Sequence, residues 1–371
     1  MKIIDNPKFE RKILFFIHHL QPRGAERQCV ELLAYLKKNT NCNLLLVLTK
    51  DIVNYSKFFE LQIPYIVIQR KYWKKDPSLF FKFYKIAKAF KPDIIHTWSP
   101  MVSFYSIPTK VLLRIPMLNY QIQTAPEKKI QKIDNYKINY FFSDLIVANS
   151  IAGLNAFKTP PKKSKVVYNG FVFDRIQNIA EPKIIKEKLN IDTKYCVGMV
   201  AAFHETKDYK TFVEAAIKLL RIRNDITILG IGSGDKSKYN HIIPVELKKS
   251  IRLLDWQENV EEIMNICDIG VLSTFSEGIS NSLMEFMALK KAVIATLGGG
   301  TSELVVNNET GILVNPSSPI MLFEKISYLL NNDDLRTEMG LKAKKRIEET
   351  FSMEKMGKSF IELYRNISKI K

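Results

Sequence analysis

Residues 273–289 read STFSEGISNSLMEFMAL, and their reading decides how the whole chain is parsed. They follow a short apolar run at 269–273, right for one buried strand, and pass through a small-residue loop into a segment with apolar residues at helical spacing. A strand that turns through such a loop into a helix is the repeating unit of parallel sheets. Ligands of open parallel sheets bind beyond the carboxyl ends of the strands, so this loop is the first place to look for chemistry. Backbone N–H groups at Ser280, Asn281 and Ser282 open the helix and form an anion site. Two carboxylates flank it, Glu277 in the loop and Glu285 eight residues on, placed to accept hydrogen bonds from hydroxyls at the two ends of a nucleotide sugar. A purely structural reading competes, because Ser282-x-x-Glu285 has the spacing of a capping box, in which Glu285 would only satisfy a backbone donor.

Outward from this loop the same rhythm fills the chain. Apolar, β-branched runs predict strands at 13–17, 44–48, 65–68, 93–96, 117–120, 145–148 and 166–168, and then at 196–201, 227–229, 251–253, 269–273, 292–295 and 311–314. Helical patterns lie between them, clearest at 25–37, 78–90, 101–113, 135–142, 208–221, 260–267, 282–289 and 319–330. The stretch 168–190 holds Asn169-Gly170 and Glu181-Pro182, both breaker pairs, and is the expected linker. Beyond Leu330 the pattern is wholly helical, 333–349 and 353–367, so the last helix must dock on an existing core.

The 371 residues suit two α/β domains, and 46% hydrophobic with 25% charged residues is ordinary for a soluble globular chain. The net charge of +18 is unevenly placed: residues 1–175 carry 29 basic and 12 acidic side chains, residues 176–371 carry 27 and 26. The first half is therefore expected to meet something anionic, such as phosphate-bearing lipid, an acidic saccharide or nucleic acid, unless its lysines merely solvate the surface. Cys29, Cys42, Cys196 and Cys267 lack any C-x-x-C spacing, so buried free thiols are expected and a zinc site is not. No run approaches the roughly 18 apolar residues of a spanning helix, and the charged start lacks a signal-peptide pattern. The expectation is a cytoplasmic protein that meets the inner face of the plasma membrane, if at all, peripherally.

Six segments, in order along the chain, carry a resemblance. Arg23-Gly24-Ala25-Glu26, Val147-Ala148-Asn149-Ser150, Val167-Tyr168-Asn169-Gly170, the turn Val200 to Tyr209 (VAAFHETKDY), the Glu277 to Glu285 spacing and Gly299-Gly300-Thr301-Ser302-Glu303 together resemble the retaining GT-B-fold glycosyltransferases of sugar-transferase family 4, the glycosyl transferases group 1. The resemblance implies two Rossmann-like domains facing across a cleft: an acceptor-binding domain at 1–170, a nucleotide-sugar domain at 171–350, and a helix at 351–371 crossing back to the first. It also implies transfer of a hexosyl group from a nucleotide sugar, most simply a UDP- or GDP-sugar, to a saccharide or lipid-linked acceptor in cell-surface polysaccharide biosynthesis.

Site residues follow from the same resemblance. Glu277 would contact the donor sugar, Glu285 the ribose hydroxyls, and Lys207 the diphosphate leaving group. Gly24, between Arg23 and Ala25, would let the backbone approach the diphosphate. Gly278, Ile279, Ser280, Asn281 and Ser282 would line the donor loop, and His96 would point at the reacting sugar. No residue is implied as a strong base, and domain closure would exclude water. No metal ligand set and no cofactor beyond the donor is expected, since no Asp-x-Asp or His cluster is present.

Two departures matter. Ala202 stands where the family usually has an arginine, so one of two cations expected at the diphosphate is missing; Arg23, at the place of a usual glycine, is the candidate replacement. Thr301-Ser302-Glu303 lacks the usual proline before its glutamate. The missing cation keeps open a second class, a catalytically weak or silent nucleotide-sugar-binding relative. A nucleic-acid-binding protein is a remote third, motivated by charge alone and lacking any helix-turn-helix, zinc-finger or RNP pattern.

Weaker features complete the reading. His18 and His19 close the first strand, either in the core or facing a ligand. Gly232-Ser233-Gly234-Asp235 is not a P-loop, because no Gly-Lys-Ser/Thr follows, and is expected as a turn near the nucleotide base. Of the tryptophans Trp73, Trp98 and Trp256, Trp98 is expected on the acceptor side. The basic and aromatic run 70–75 with Phe80-Phe81-Lys82-Phe83-Tyr84-Lys85 suits a membrane interface, or else an ordinary amphipathic helix.

Overall fold

Near-continuous β-branched and aliphatic runs, such as Ile13 to Phe16 and Leu46 to Leu48, have no accessible surface, as strands covered by helices on both faces must. The computed structural model describes residues 9–70, 76–126 and 134–367. Strand and helix alternate as β1 Lys12–Ile17, α1 Gly24–Asn39, β2 Asn43–Leu48, α2 Ser56–Glu60, β3 Tyr65–Val67, α3 Ser78–Phe90 and β4 Ile94–Thr97. They continue as α4 Pro100–Leu113, β5 Met117–Ile122, α5 Asp134–Phe142, β6 Leu145–Ala148, α6 Ile151–Ala156 and β7 Ser164–Val166. A second series runs α7 Pro182–Lys188, β8 Tyr195–Val200, α8 Tyr209–Leu220, β9 Ile226–Ile231, α9 Ser237–Asn240, β10 Ile251–Leu254, α10 Val260–Ile266 and β11 Ile269–Leu272. It ends α11 Asn281–Ala288, β12 Ala292–Thr296, α12 Thr301–Leu304, β13 Ile312–Val314, α13 Pro319–Leu330 and α14 Asp333–Thr350, and α15 Met353–Ile367 closes the chain.

Among the described residues the strands form two sheets, seven in the order β3-β2-β1-β4-β5-β6-β7 and six in the order β10-β9-β8-β11-β12-β13. Every pairing is parallel, with β1 between β2 and β4 and β8 between β9 and β11. The chain divides into two compact units around these sheets. The first takes the N-terminal part to Gly170, apart from Thr124–Glu127, together with the segment from Met353; the second takes Thr124–Glu127 and Phe171–Ser352.

In the first unit α15 packs on α1, where a Cβ on Gly357 would meet the Tyr35 ring at 2.2 Å; only glycine allows that approach. The Asn169-Gly170 pair is held from inside the same unit. Tyr120 donates to Asn169 Oδ1 at 3.1 Å, while the Gln28 side chain donates to the Gly170 carbonyl at 3.1 Å and accepts from its N–H at 3.0 Å.

Two sequence expectations need correction, and one helix was not foreseen. The last strand of the first sheet is Ser164–Val166, two residues earlier than the apolar run suggests, because as an edge strand it pairs only with β6 and two of its three residues need not be apolar. Glu181-Pro182 does not break structure but starts α7, with Pro182 in the first turn, where its missing N–H costs nothing. The short helix α6, capped by the Ser150 side chain accepting from Gly153 N at 3.0 Å, is too brief to show a periodic pattern. All four cysteines are free; Cys29, Cys196 and Cys267 are buried and Cys42 is half-buried.

Candidate active site

The second unit gathers its chemistry at the carboxyl ends of β8 and β11. The loops that follow these strands are laced together: Asp208 N donates to Ser273 O at 2.9 Å, Phe275 N and Thr274 Oγ1 both donate to Thr206 O at 2.9 Å, and Thr274 N reaches Thr296 Oγ1 on β12 at 2.8 Å. Asp208 then caps α8, accepting from Thr211 N at 3.1 Å. This lacing turns the Lys207 ammonium onto the Glu277 carboxylate, and the two form an ion pair in which each side chain keeps less than a fifth of its surface.

The backbone at Glu277 is fixed from a third loop. Gly300 N donates to Glu277 O at 3.0 Å. Gly299 takes φ +53°, and a Cβ there would lie 2.3 Å from that same carbonyl oxygen, so the position needs glycine both for its conformation and for its space. Ser276, the residue before Glu277, forms an isolated antiparallel bridge with Pro126 of the same unit.

Ser280, not Ser282, is the N-cap of α11, its hydroxyl accepting from Leu283 N at 3.4 Å. The capping-box reading of Ser282 and Glu285 therefore fails, because the helix begins two residues too early for that geometry. Gly278, Ile279 and Ser280 are buried and Asn281 and Ser282 half-buried at the helix start. Glu285 is 2% exposed, and its Oε1 lies 3.1 Å from Arg175 Nη1, while Arg175 Nη2 pairs with Glu261 on α10. Arg175 escaped the sequence reading. The available signal was small: it is the one cationic residue between Val167 and Ala180.

The other loops of this end are set by backbone needs. A Cβ on Gly232 would overlap the Ala201 carbonyl oxygen at 1.8 Å, and Phe203 N donates to Ser233 O at 2.7 Å, so the Gly232 to Asp235 turn closes against the loop after β8. Ala202 is exposed there. A pocket of about 340 Å³ beside Lys207 is lined also by Asp208, Lys210, Lys238, Tyr239 and Phe275.

In the first unit Arg23 is the exposed N-cap of α1, followed by exposed Gly24 and half-buried Ala25. At the carboxyl end of β1, His18 Nδ1 meets Thr49 Oγ1, and His19 Nδ1 lies 3.3 Å from Glu26 Oε1. Burial, then His19, Arg70, Lys50 and Arg23, pushes His18 down to about 4. Burial and then Arg23 and Lys50 push His19 below its ordinary value, and burial pushes Glu26 up.

His96 does not take the place expected of it. It has no accessible surface; its Nδ1 lies 2.7 Å from Tyr364 Oη, and Phe15, Trp98, Tyr120 and Phe360 surround the ring. Burial holds it far below the usual histidine pKa. A side chain sealed by α15 within its own unit cannot meet a sugar, so His96 is core. Trp98, 3% exposed and edge-on to Tyr120 at 4.6 Å, belongs to the same cluster and lines no ligand surface. Its neighbour in the sequence reading, the 71–75 run with Trp73, lies outside the described residues. The adjoining α3 buries Leu79, Phe83 and Ala87 and turns Phe81 outward beneath the Lys85 ammonium at 4.5 Å. Among the described residues no group of three or more His, Cys, Asp or Glu is placed to hold a metal, and no helix is long and apolar enough to cross a membrane.

This combination of two parallel-sheet α/β units is the GT-B fold. Residues 22–175 match the model of Glycosyltransferase Family 4, and residues 181–346 match that of Glycosyl transferases group 1. The chain is 25% identical over 358 residues (91% of it, 94% of the relative) to N-acetylgalactosamine-N,N'-diacetylbacillosaminyl-diphospho-undecaprenol 4-alpha-N-acetylgalactosaminyltransferase of Campylobacter jejuni. It is 22% identical over 361 residues (90% and 92%) to the capsular polysaccharide biosynthesis glycosyltransferase CapM of Staphylococcus aureus. Among solved structures, Anabaena HepE in complex with UDP-glucose superposes with a TM-score of 0.83 at 19% identity, covering 96% of this chain and 100% of that one. The protein belongs to the family 4, group 1 glycosyltransferases.

Proposed function

We propose that the protein transfers a hexose from a UDP- or GDP-sugar to a saccharide or lipid-linked acceptor in cell-surface polysaccharide biosynthesis, with retention at the anomeric carbon and without a metal ion. The observation that carries this reading is the meeting of Lys207 and Glu277 beside the start of α11, with Glu285 one turn and more along that helix. A diphosphate leaving group needs positive charge that is already in place when the glycosidic bond breaks. Lys207 and the N-terminus of α11 supply it. Glu277 takes donor hydroxyls as the diphosphate takes Lys207 from it, and Glu285 takes the ribose. Gly278, Ile279, Ser280, Asn281 and Ser282 shape the loop around the phosphates, and the Gly232 to Asp235 turn faces the base. With no strong base in this constellation, the departing phosphate assists attack on the same face, which gives retention.

The Campylobacter relative named above acts on a diphospho-undecaprenol-linked saccharide, and HepE was solved with UDP-glucose. The first supports a lipid-linked acceptor here and the second a UDP-sugar. The excess charge of the first half, with Arg23, Lys50 and Arg70 close enough to depress His18, suits the phosphates of such an acceptor or the cytoplasmic membrane surface that carries it. Ala202 favours a second reading, a relative that binds nucleotide sugar but turns it over weakly or not at all.

A thermal-shift series with UDP, GDP and their sugars tests the first step. A ligand at 100 times its Kd stabilises by about 2.7 kcal/mol, so the correct base identifies itself by a rise of several degrees, lost in Lys207→Ala. Turnover with a defined lipid-diphosphate saccharide, unchanged by EDTA and giving an axial product for an axial donor by NMR, tests the rest. Donor binding without any turnover would select the silent alternative.

A further inference from the structure

Two acidic side chains on adjacent helices share one guanidinium. Glu261 lies in the first turn of α10 and Glu285 in the second turn of α11, and their side chains keep 9% and 3% of their surface. Two buried carboxylates that face the same point call for a cation between them. Arg175 is built for that position because its planar fork presents separate N–H groups to separate partners. Nη1 goes to Glu285 at 3.1 Å and Nη2 to Glu261.

Arg175 is itself held. It sits in the 3-10 turn Phe173–Ile176, its N–H donates to Val172 O at 3.3 Å, and its guanidinium lies over the Phe171 ring at 5.8 Å. The orientation of the Glu285 carboxylate is thus set from outside its own helix, by a residue anchored on a different segment. Glu261 fixes the other half of the fork and so fixes the angle at which Arg175 meets Glu285.

We propose that Arg175 is a positioning residue that aims Glu285 at the ribose hydroxyls of the donor and thereby sets the preference of this site for ribonucleotides over 2'-deoxyribonucleotides. The proposal rests on the reading of Glu285 as the ribose ligand. A guanidinium that only stapled α10 to α11 would change stability and leave this preference untouched; one that aims the carboxylate changes the preference itself.

The test is calorimetric titration of the full chain with two probe pairs, UDP against 2'-deoxy-UDP and GDP against 2'-deoxy-GDP. The wild type binds the ribo form of one pair more tightly. Arg175→Gln weakens the ribo form by about tenfold, the size of one hydrogen bond to a charged group, and changes the deoxy form less than about twofold on the same scale. Arg175→Lys, which keeps the charge without the fork, retains part of the preference, and Glu261→Gln retains most of it. Should Arg175→Gln not fold, Arg175→Lys carries the test, since a wild-type preference in that variant counts against the proposal. Equal weakening of both forms in either Arg175 variant would overturn it and leave the role of Glu285 standing. A wild type with no preference, or a preference that survives Glu285→Gln, would overturn the reading of Glu285 and the proposal with it.

Discussion

The two sheets have the same strand order about their centres, β3-β2-β1-β4-β5-β6 and β10-β9-β8-β11-β12-β13, and they end differently. At the carboxyl end of β4, His96 and Trp98 disappear under Tyr120, Phe360 and Tyr364. At the equivalent end of β11, Glu277 meets Lys207 in a loop that keeps part of its surface open. Parallel topology offers a site at both places. What covers the strand end decides whether the offer is taken: α15 docks over the first and converts it to core, while β11 passes through the 273–280 loop, with Glu277 in it, to the capped start of α11.

The sharpest way to break this comparison is to exchange the cost of mutation between the two ends. Lys207→Ala should lower turnover by about 10²–10³-fold, the usual loss when one group that stabilises developing charge is removed. His96→Phe should leave turnover per folded molecule within about twofold while costing about 1–3 kcal/mol of stability, because Tyr364 loses its buried partner. Steady-state kinetics alongside denaturant melts separates the two. A His96→Phe enzyme that is stable and dead would return the first strand end to the active site.

Gly299→Ala sharpens the second end without touching a charged group. A Cβ 2.3 Å from the Glu277 carbonyl at φ +53° forces the loop to move, at a cost of about 1–3 kcal/mol. Donor affinity should fall with stability, because the carbonyl it displaces belongs to Glu277. If the protein loses stability with full donor affinity, the third loop is a structural brace only.

How far the sequence carried this picture depends on whether a residue's role is written in its neighbours. The second end was legible because its residues lie within one strand-to-helix passage, so Glu277, the loop and Glu285 could be read as a unit, and Lys207 sits in an equally local turn. The strand rhythm was legible for the same reason. His96 was misplaced because its surroundings come from Phe360 and Tyr364 on α15, more than 260 residues away along the chain, and an amphipathic pattern says that a helix buries a face without saying what it buries. Arg175 was missed because its partners on α10 and α11 are likewise remote. Pro182 misled in the opposite way: a breaker at the end of a helix is an ideal first residue at its start, and only the fold tells which.

The smallest expected effect concerns acid. Burial depresses His96, and burial with neighbouring cations depresses His18 and His19, all in the first unit. Unfolded, each would take a proton near its ordinary value of about 6.5; folded, each resists protonation until a lower pH, near 4 for His18. The unfolded chain therefore binds more protons through this window, and stability, fully present above pH 6.5, declines as pH falls toward 4. Glu26, raised by burial, works in the opposite sense and offsets part of the slope. The denaturant midpoint of the wild type should drop between pH 7 and pH 5, with the earliest loss of amide-exchange protection in the first sheet. His96→Phe, less stable at pH 7, should show a shallower pH dependence over the same range. Identical slopes in the two proteins would mean that the buried aromatic cluster does not couple to protons, and that the difference between the two strand ends is one of packing alone.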